Sequence, residues 1–342
     1  MRKTGWEGWR LEARAGALGI AVGLALLAAC GWWLAGHPAK RARPAETGSA
    51  APIPAPRRAY VPPMPATRQP PPQPQFDAEI AMAHVVQLAE RIGKRDPGSE
   101  GEKRARVYVR DTLESYGYDV QIQTFAIWDG MSSGNVIAKR GPAVPSLIIG
   151  AHLDSMPVSP GANDNASGVA VLLELARRLA GDPSAANVWF VAFGTEEGRY
   201  SDGGTRSIRS TGRRGSRHFV DALTDNERLT LKAMLNMDMV GAGDALDIGD
   251  MSEQGEPPAR RCLQIAKELG LAARFDQFGG QSDYRPFHDR GIPIIAFAWG
   301  THPSHHTPGD VVGLVEPAKM QAVYDVVARC VEEQGRGEEG KP

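Results

Sequence analysis

The chain has 342 residues, of which 42% are hydrophobic and 23% are charged, and this composition excludes wholesale disorder and collagen-like structure. Lysine and arginine number 39 against 40 aspartate and glutamate, so the net charge of -1 excludes a dedicated nucleic-acid binder of the usual basic kind. The three cysteines are too few for a disulfide scaffold.

The N-terminal segment differs from the rest of the chain. Residues 15–36 are an uncharged run of 22 residues, which at about 1.5 Å per residue would cross a hydrocarbon core of about 30 Å. We therefore predict a membrane anchor or signal segment over residues 1–36, with basic residues on both sides that orient it only weakly. The tetrapeptide Leu-Ala-Ala-Cys at 27–30 leaves a second interpretation open, in which the signal is cleaved and Cys30 is lipidated. Both interpretations tether the remaining chain to a membrane, with the folded domain extracytoplasmic, in the periplasm or outside the cell.

A proline-rich stretch follows the apolar run. Residues 37–75 hold 12 of the 26 prolines and almost no aliphatic side chains. Such a stretch cannot bury enough surface to fold, so we predict a linker. The folded domain is predicted over residues 76–334, and a disordered polar tail over 335–342.

Hydrophobic periodicity predicts the helices and strands of the folded domain. Helical patterns cover 77–92, 101–117, 165–180, 258–270 and 317–333. Apolar or β-type runs cover 120–125, 135–140, 146–152, 187–193, 233–240 and 292–297. This order predicts an α/β fold, a three-layer sandwich with a mostly parallel central sheet flanked by helices. In such folds, ligands bind outside the carboxyl ends of the strands.

Side chains of the types that bind metals follow four of these strands. In chain order the strand ends carry His152 with Asp154, Glu196 with Glu197, Asp238, and His306, while Asp164 lies at the start of the intervening helix. One such group alone is common on protein surfaces, but their joint placement after parallel strands indicates a metal centre. The cysteine spacing fits no structural zinc site, so histidines and carboxylates would have to hold any zinc.

These residues lie in motifs that resemble the co-catalytic zinc aminopeptidases of metallopeptidase family twenty-eight, a family that also contains glutamate carboxypeptidases and glutaminyl cyclases. The resemblance covers roughly residues 78–331 and is carried by GAHLDS, GANDNASGVAVLLELAR, FGTEE, GSRHFV, NMDMVG, SDYRPF, GIPIIAF and HTPGD. It implies a zinc-exopeptidase-like fold that binds two zinc ions per chain.

The resemblance also implies a set of metal ligands. Asp164 would bridge the two zinc ions. His152 and Asp238 would complete one site, and Glu197 and His306 would complete the other. Each ion would then keep an open position for water, as catalytic zinc requires.

Three further carboxylates receive roles from the same resemblance. Glu196 would be the general base, acting on a water bridged between the zinc ions. Asp154 would accept a hydrogen bond from His152 and fix its tautomer. Asp283 is expected to be structural or to support the residues that contact the metal.

The implied activity is that of a membrane-tethered, zinc-dependent exopeptidase, an aminopeptidase that hydrolyses N-terminal residues from peptides. The alternative is glutaminyl cyclase-like or carboxypeptidase activity on the same scaffold. Peptides are the expected partners and nucleic acid is not. The sequence leaves the side-chain preference and the oligomeric state open.

The sequence departs from the family pattern before the last histidine. Many members have a tyrosine there that helps to hold the oxyanion, whereas this chain has His305. The candidate oxyanion donors are therefore His305, Tyr200 and Tyr284.

Two other features leave alternatives open. The polar segment between Glu197 and Gly215 is interpreted as a solvated loop, although its arginines would suit a substrate carboxylate. These arginines are Arg199, Arg206, Arg209, Arg213 and Arg214. Cys262 and Cys330 lie on separate predicted helices and form either a disulfide of an oxidising compartment or two buried thiols.

Overall fold

The computed structural model describes residues 74–201, 206–208 and 212–339, all of which belong to the unit Thr67–Pro342. The helices are α1 (Ala78–Val86), α2 (Glu100–Ser115), α3 (Gly168–Leu179), α4 (Arg214–Ala222), α5 (Asp225–Thr230), α6 (Pro257–Glu268), α7 (Tyr284–His288) and α8 (Pro317–Glu339). Wider π-type turns occupy Gln87–Ile92 and Ala162–Ser167, and short 3-10 turns occupy Pro183–Ala185 and Val312–Leu314.

Side-chain caps fix where the first helices begin. The Asp77 carboxylate accepts hydrogen bonds from the backbone N–H groups of Glu79 and Ile80 at the start of α1. Ser99 accepts one from the Glu102 N–H at the start of α2. These bonds satisfy N–H groups that have no partner within the helix, so the caps define the two starts.

Eight strands form a central sheet. They are β1 (Asp119–Ala126), β2 (Ser132–Lys139), β3 (Leu147–His152), β4 (Val188–Phe193), β7 (Ala233–Met237), β8 (Leu246–Asp250), β9 (Ala273–Gln277) and β10 (Ile294–Ala298). Their order across the sheet is β1-β2-β4-β3-β7-β10-β8-β9. The central strands β4, β3, β7 and β10 are parallel, and antiparallel pairs flank them on both sides. The predicted α/β class is confirmed, with a sheet that is mixed toward its edges.

Helices cover both faces of this sheet, as alternation along β4 shows. Its residues Val188, Phe190 and Ala192 belong to the larger apolar cluster, which includes side chains of α1, α3 and α8. The intervening Trp189, Val191 and Phe193 belong to a second cluster with side chains of α4 and α7. Both faces of the strand are therefore buried, as a strand inside a parallel sheet requires.

The structure contains elements that periodicity did not predict. Strands β8 and β9, helices α4, α5 and α7, and a hairpin of β5 (Arg199–Ser201) and β6 (Arg206–Ile208) are all additional. Helix α8 extends to Glu339, five positions into the segment 335–342 that the sequence predicts as a polar tail.

Helices α6 and α8 are joined covalently. Cys262 and Cys330 form a disulfide with a Cα–Cα distance of 6.2 Å, which resolves the alternative that the sequence left open. Both cysteines are buried in the larger apolar cluster.

The predicted N-terminal anchor and the linker up to residue 73 lie outside the described residues. Among the residues that are described, no helix combines the length and the apolar character needed to span a bilayer.

The buried His84 predicts a pH dependence of stability. It lies on α1 with Nδ1 2.5 Å from the Tyr108 hydroxyl, and burial lowers its pKa from 6.5 to about 4. Between these values the unfolded chain binds more protons, so the stabilisation is complete above pH 6.5 and is lost as the pH falls toward 4. The whole shift corresponds to about 3 kcal/mol.

We expect His84→Asn to remove this part of the acid sensitivity. The difference in unfolding free energy between the wild type and the variant should shrink by about 3 kcal/mol from pH 7 to pH 4 in denaturant titrations. The exposed His288 offers a control, because His288→Asn should show no such change. Equal acid sensitivity in the wild type and His84→Asn would contradict the prediction.

Candidate metal centre

The parallel strands bring the predicted site residues to one edge of the sheet. His152 is the last residue of β3, Asp238 directly follows β7, and Glu197 lies just beyond β4. Asp164 comes from the turn that precedes α3, and His306 from the loop after β10. Because β4, β3, β7 and β10 are neighbours in that order, their carboxyl ends place these loops side by side.

Asp164 faces a different set of donor atoms with each carboxylate oxygen. Its Oδ1 lies 3.1 Å from His152 Nε2, which lies 3.4 Å from Asp238 Oδ1. Its Oδ2 lies 3.2 Å from the Nε2 atoms of both His305 and His306. We call His152, Asp164 and Asp238 the first donor group, and Asp164, His305 and His306 the second donor group.

These separations fit a metal of the size of zinc. With bonds of 2.0–2.2 Å, neighbouring ligand atoms in a tetrahedral zinc shell lie about 3.3 Å apart. The four distances given above are 3.1–3.4 Å, and Glu197 Oε2 lies 3.1 Å from His306 Nε2. The structure thus brings the five predicted ligands together and places His305 beside them.

Asp154 has a different main role in the structure from the one expected of it. The oxygen nearest to His152 Nδ1 is the Asp154 main-chain carbonyl at 3.2 Å, whereas the carboxylate is 3.7 Å away. The carboxylate instead accepts hydrogen bonds of 3.0 Å from the backbone N–H groups of Glu196 and Glu197, one at each oxygen. Asp154 therefore fixes the main chain that carries both glutamates.

The loop after β4 is also held from its other side. The N–H groups of Arg213, Arg214 and Gly215 donate to the carbonyls of Glu196, Thr195 and Gly194 at 2.9–3.0 Å, which joins the start of α4 to this loop. A Cβ at Gly215 would lie 2.2 Å from the Gly194 oxygen, so only glycine permits this approach.

Three residues near the donor atoms have a left-handed backbone although none is glycine. Thr195 precedes Glu196 with φ of 59°, Met239 follows Asp238 with φ of 54°, and His306 itself has φ of 59°. Such conformations cost energy and persist where surrounding contacts enforce them, typically at functional sites. Their presence at three strand ends marks the same edge of the sheet.

Arg95 is a supporting residue that no sequence pattern predicted. It is fully buried, and its guanidinium donates to the carbonyls of Leu153, Pro160 and Gly161 at 2.7–2.8 Å. These carbonyls flank the segment between His152 and Asp164, so Arg95 fixes the spacing of two site residues. An arginine before the predicted helix 101–117 carries no sequence signal of this role.

Asp310 supports Asp164 in the same way. Its carboxylate accepts hydrogen bonds from the N–H groups of Asn163 at 2.7 Å and Asp164 at 3.0 Å. Asp310 belongs to the HTPGD motif, so the sequence did offer a signal that this residue lies near the site. Asp310 thereby attaches the Asp164 turn to the loop that carries His306.

Charge and burial shift the titration of the central groups. Burial opposes a charged His152, but the carboxylates of Asp238, Asp154 and Asp164 dominate and raise its pKa well above the usual value. Burial raises the pKa of Glu196 well above its ordinary value, and His152 acts in the opposite direction. A raised carboxyl pKa is the direction that general acid–base catalysis requires near neutral pH.

The remaining predicted site residues are Asp283 and the two candidate oxyanion donors Tyr284 and Tyr200. Asp283 is fully buried, and burial raises its pKa to about 7, against the effects of His152 and Ser216. The Tyr284 hydroxyl accepts hydrogen bonds from the N–H groups of Gly280 and Gln281 at 3.0 and 3.2 Å. The side chain of Tyr200 lies outside the described part of the structure.

Two arginines of the polar segment have partners elsewhere. Arg213 donates to the Gln281 carbonyl at 3.2 Å, and the Arg214 guanidinium lies 5.8 Å from the centre of the Trp128 ring. Arg209 lies outside the described residues, and only the backbone of Arg199 and Arg206 is described.

The fold and the two donor groups define a metallopeptidase-type α/β protein, and comparisons agree. Aminopeptidase YwaD of Bacillus subtilis is 33% identical over 216 residues, which cover 59% of this chain and 45% of that protein. The structure of BSAP, a zinc aminopeptidase from Bacillus subtilis, superposes with a TM-score of 0.68 at 22% identity, covering 78% of this chain and 96% of that one. A glutaminyl cyclase structure from Porphyromonas gingivalis gives 0.65 at 28% identity, with coverages of 76% and 99%.

Residues 135–331 match Peptidase family M28, and the chain belongs to that family. The family resemblance drawn from the motifs is therefore confirmed. The chain spans about half the length of the curated relatives it matches, 45% and 50% for the first two.

The two hydrogen bonds of Asp154 generate a prediction. Asp154→Asn replaces one acceptor by an amide donor and leaves a buried N–H of the glutamate loop unpaired, at a cost of about 1–3 kcal/mol. We expect a lower unfolding midpoint and weaker zinc binding, measured by thermal unfolding and by competition with a chromophoric chelator.

Asp250 provides a matched control. It is also a buried carboxylate that accepts backbone hydrogen bonds at both oxygens, from Ser252 and Glu256, but it lies at the end of β8. Asp250→Asn should lower stability similarly and leave zinc affinity unchanged. If Asp154→Asn also left zinc affinity unchanged, Asp154 would not position the glutamates for metal binding.

Proposed function

We propose that this protein is a zinc-dependent aminopeptidase that removes N-terminal residues from peptides. The observation that carries the proposal is the Asp164 carboxylate, which faces one donor group with each oxygen at 3.1–3.2 Å. A carboxylate in this position suits a bridge between two metal ions, as two-metal hydrolases use. The relatedness to the aminopeptidase YwaD, at 33% identity, supports the reaction class.

Each donor atom has a task in this proposal. His152 and Asp238 would hold one zinc ion, Glu197 and His306 the other, and Asp164 both. When bound, zinc supplies Lewis acidity, which lowers the pKa of water and polarises a carbonyl. The chain contributes donors whose loops are fixed before any substrate arrives.

Glu196 would act as the general base. It neighbours the proposed ligand Glu197, and its main chain is held by Asp154 and by the backbone of Arg213. Its carboxylate would take a proton from the attacking water and return it to the departing amine. Burial raises its pKa, which makes its carboxylate a stronger base toward the attacking water than an exposed glutamate.

A cyclase-like reaction is the second candidate. The glutaminyl cyclase structure of Porphyromonas gingivalis matches at 28% identity over 76% of this chain, so the fold also suits that chemistry. Cyclisation of an N-terminal glutamine needs a polarised amide carbonyl and no attacking water. The fate of an N-terminal glutamine substrate therefore separates the two functions.

We predict that the purified full-length chain in detergent releases arylamine from aminoacyl-arylamides and stops when zinc is chelated. Glu196→Gln should lower kcat by about 10²–10⁴-fold and retain zinc, because Glu196 contributes acid–base catalysis and not a metal bond. The adjacent Glu197→Gln is the matched variant and should lose zinc affinity as well as turnover.

Two outcomes would contradict the aminopeptidase proposal, and a third would contradict the role of Glu196 within it. The first is a lack of release by the zinc-loaded chain together with conversion of glutaminyl peptides to pyroglutamyl products, which would establish the cyclase. The second is release from peptides with a blocked N-terminus, which would indicate a carboxypeptidase. The third is full activity of Glu196→Gln, which would remove the general base from the mechanism.

We also propose that residues 15–36 tether the enzyme to a membrane, with the catalytic domain on the extracytoplasmic side. The uncharged run of 22 residues supports this placement. The expected result is a membrane fraction that resists carbonate extraction, with the domain open to protease added outside the cytoplasmic membrane. Deletion of residues 1–36 should release the protein from the membrane, and extraction of the intact chain by carbonate alone would contradict the tether.

A further inference from the structure

We propose that His305 is a direct zinc ligand, so that the second donor group supplies four protein donors to its ion. This inference rests on the proposed function, because it assigns a role within the same metal centre. The residue occupies the position where the family pattern has a tyrosine, and the pattern alone therefore predicts no metal ligand here.

The first observation is the shared oxygen. His305 Nε2 and His306 Nε2 both lie 3.2 Å from Asp164 Oδ2, and the two ring centroids are 3.6 Å apart. A charge-assisted N–H···O bond is normally 2.7–2.9 Å long, and 3.2 Å lies at the long end of the range for N–H···O bonds in general. It agrees with the separation of about 3.3 Å between neighbouring ligands of a tetrahedral zinc ion.

The second observation is the turn that aims both rings in one direction. Successive side chains of an extended strand point to opposite faces, which would separate His305 from His306. Here His306 has φ of 59°, and the backbone bonds from His305 N to the His302 carbonyl and from Thr307 N to the Ser304 carbonyl tighten the loop. A strained backbone conformation thus places two adjacent imidazoles beside one carboxylate.

The two ions then differ in their protein shells. Asp164, His305, His306 and Glu197 would fill a tetrahedral shell, which is the pattern of tightly held zinc. The first donor group offers only three donors, so an ion held there would keep an open position. Water and substrate would then bind on the side of His152 and Asp238.

The test counts imidazoles directly. X-ray absorption at the zinc edge of the full-length, zinc-loaded chain should give three imidazole nitrogens per two zinc ions, and His305→Ala should give two. His305→Tyr retains a hydrogen-bond donor at this position but should also give two. Zinc affinity of the tighter site should fall at least about tenfold in both variants, since even residues that only orient ligands contribute 10–100-fold.

His288→Ala serves as the control for loss of a histidine, because His288 is exposed at the end of α7 and should leave count and affinity unchanged. Two imidazoles in the wild type, or unchanged affinity in His305→Ala, would overturn the inference even if a variant were unstable. Turnover of aminoacyl-arylamides with only two imidazoles would leave the proposed function standing without this ligand. Three imidazoles without turnover would support His305 as a ligand and contradict the proposed function. A chain that binds no zinc would overturn both proposals.

Discussion

The concentration of buried carboxylates at one edge of the sheet is the constraint on which the rest of the site depends. Asp154, Asp164, Glu197, Asp283 and Asp310 are all buried there. Taking a carboxylate out of water is costly unless it is paired, so these groups must protonate or find positive partners. Burial and mutual repulsion raise the pKa values of Glu197, Asp283 and Asp310, so these carboxyl groups take up protons at a higher pH than exposed ones do. Metal binding would displace such protons, which couples occupancy of the centre to pH.

The fold supplies part of the compensating charge through its main chain. Asp154 and Asp310 each accept two backbone N–H groups, and in both cases the donors belong to the loop that carries proposed ligands. Arg95 adds a full positive charge behind the same loops and is held by carbonyl oxygens. Burial lowers its pKa to about 10, while nearby acidic groups, Asp154 first among them, oppose that shift, so it remains charged at neutral pH. The groups that neutralise the carboxylates are thus the same groups that set the distances between them.

The sequence predicted the parts of this arrangement that lie in local patterns. The apolar strands β3, β4, β7 and β10 are short continuous runs, and the polar residues that follow each run were enough to locate the site edge. Strands β8 and β9 were missed because they contain charged residues, as the pair Asp247 and Arg274 shows, and such residues look like loop in a single sequence. The part played by Arg95 was not predictable, because its acceptors lie up to 66 positions away. The hydrogen bonds from the N–H groups of Glu196 and Glu197 to the Asp154 carboxylate are likewise long-range contacts, across 42 and 43 residues.

The relation between the two donor groups bears on which reaction this scaffold performs. Hydrolysis needs an activated water and a polarised carbonyl. Cyclisation uses the substrate's own amine as nucleophile and needs only the polarised carbonyl from the metal centre. A centre with one open ion would therefore suffice for cyclisation, whereas in hydrolysis the same ion would also have to bind the water. If His305 is a ligand of the second ion, water binding and carbonyl polarisation would both fall to the ion beside His152 and Asp238. Glu196 would then have to provide the proton transfer without help from a second open ion. The loop that carries Glu196 is correspondingly held on both sides, by Asp154 and by the three N–H groups at the start of α4. Both reactions transfer a proton from the nucleophile to the departing amine or ammonia, so a rigidly placed Glu196 would serve either one. The nucleophile, water in hydrolysis and the substrate's own amine in cyclisation, is what separates them.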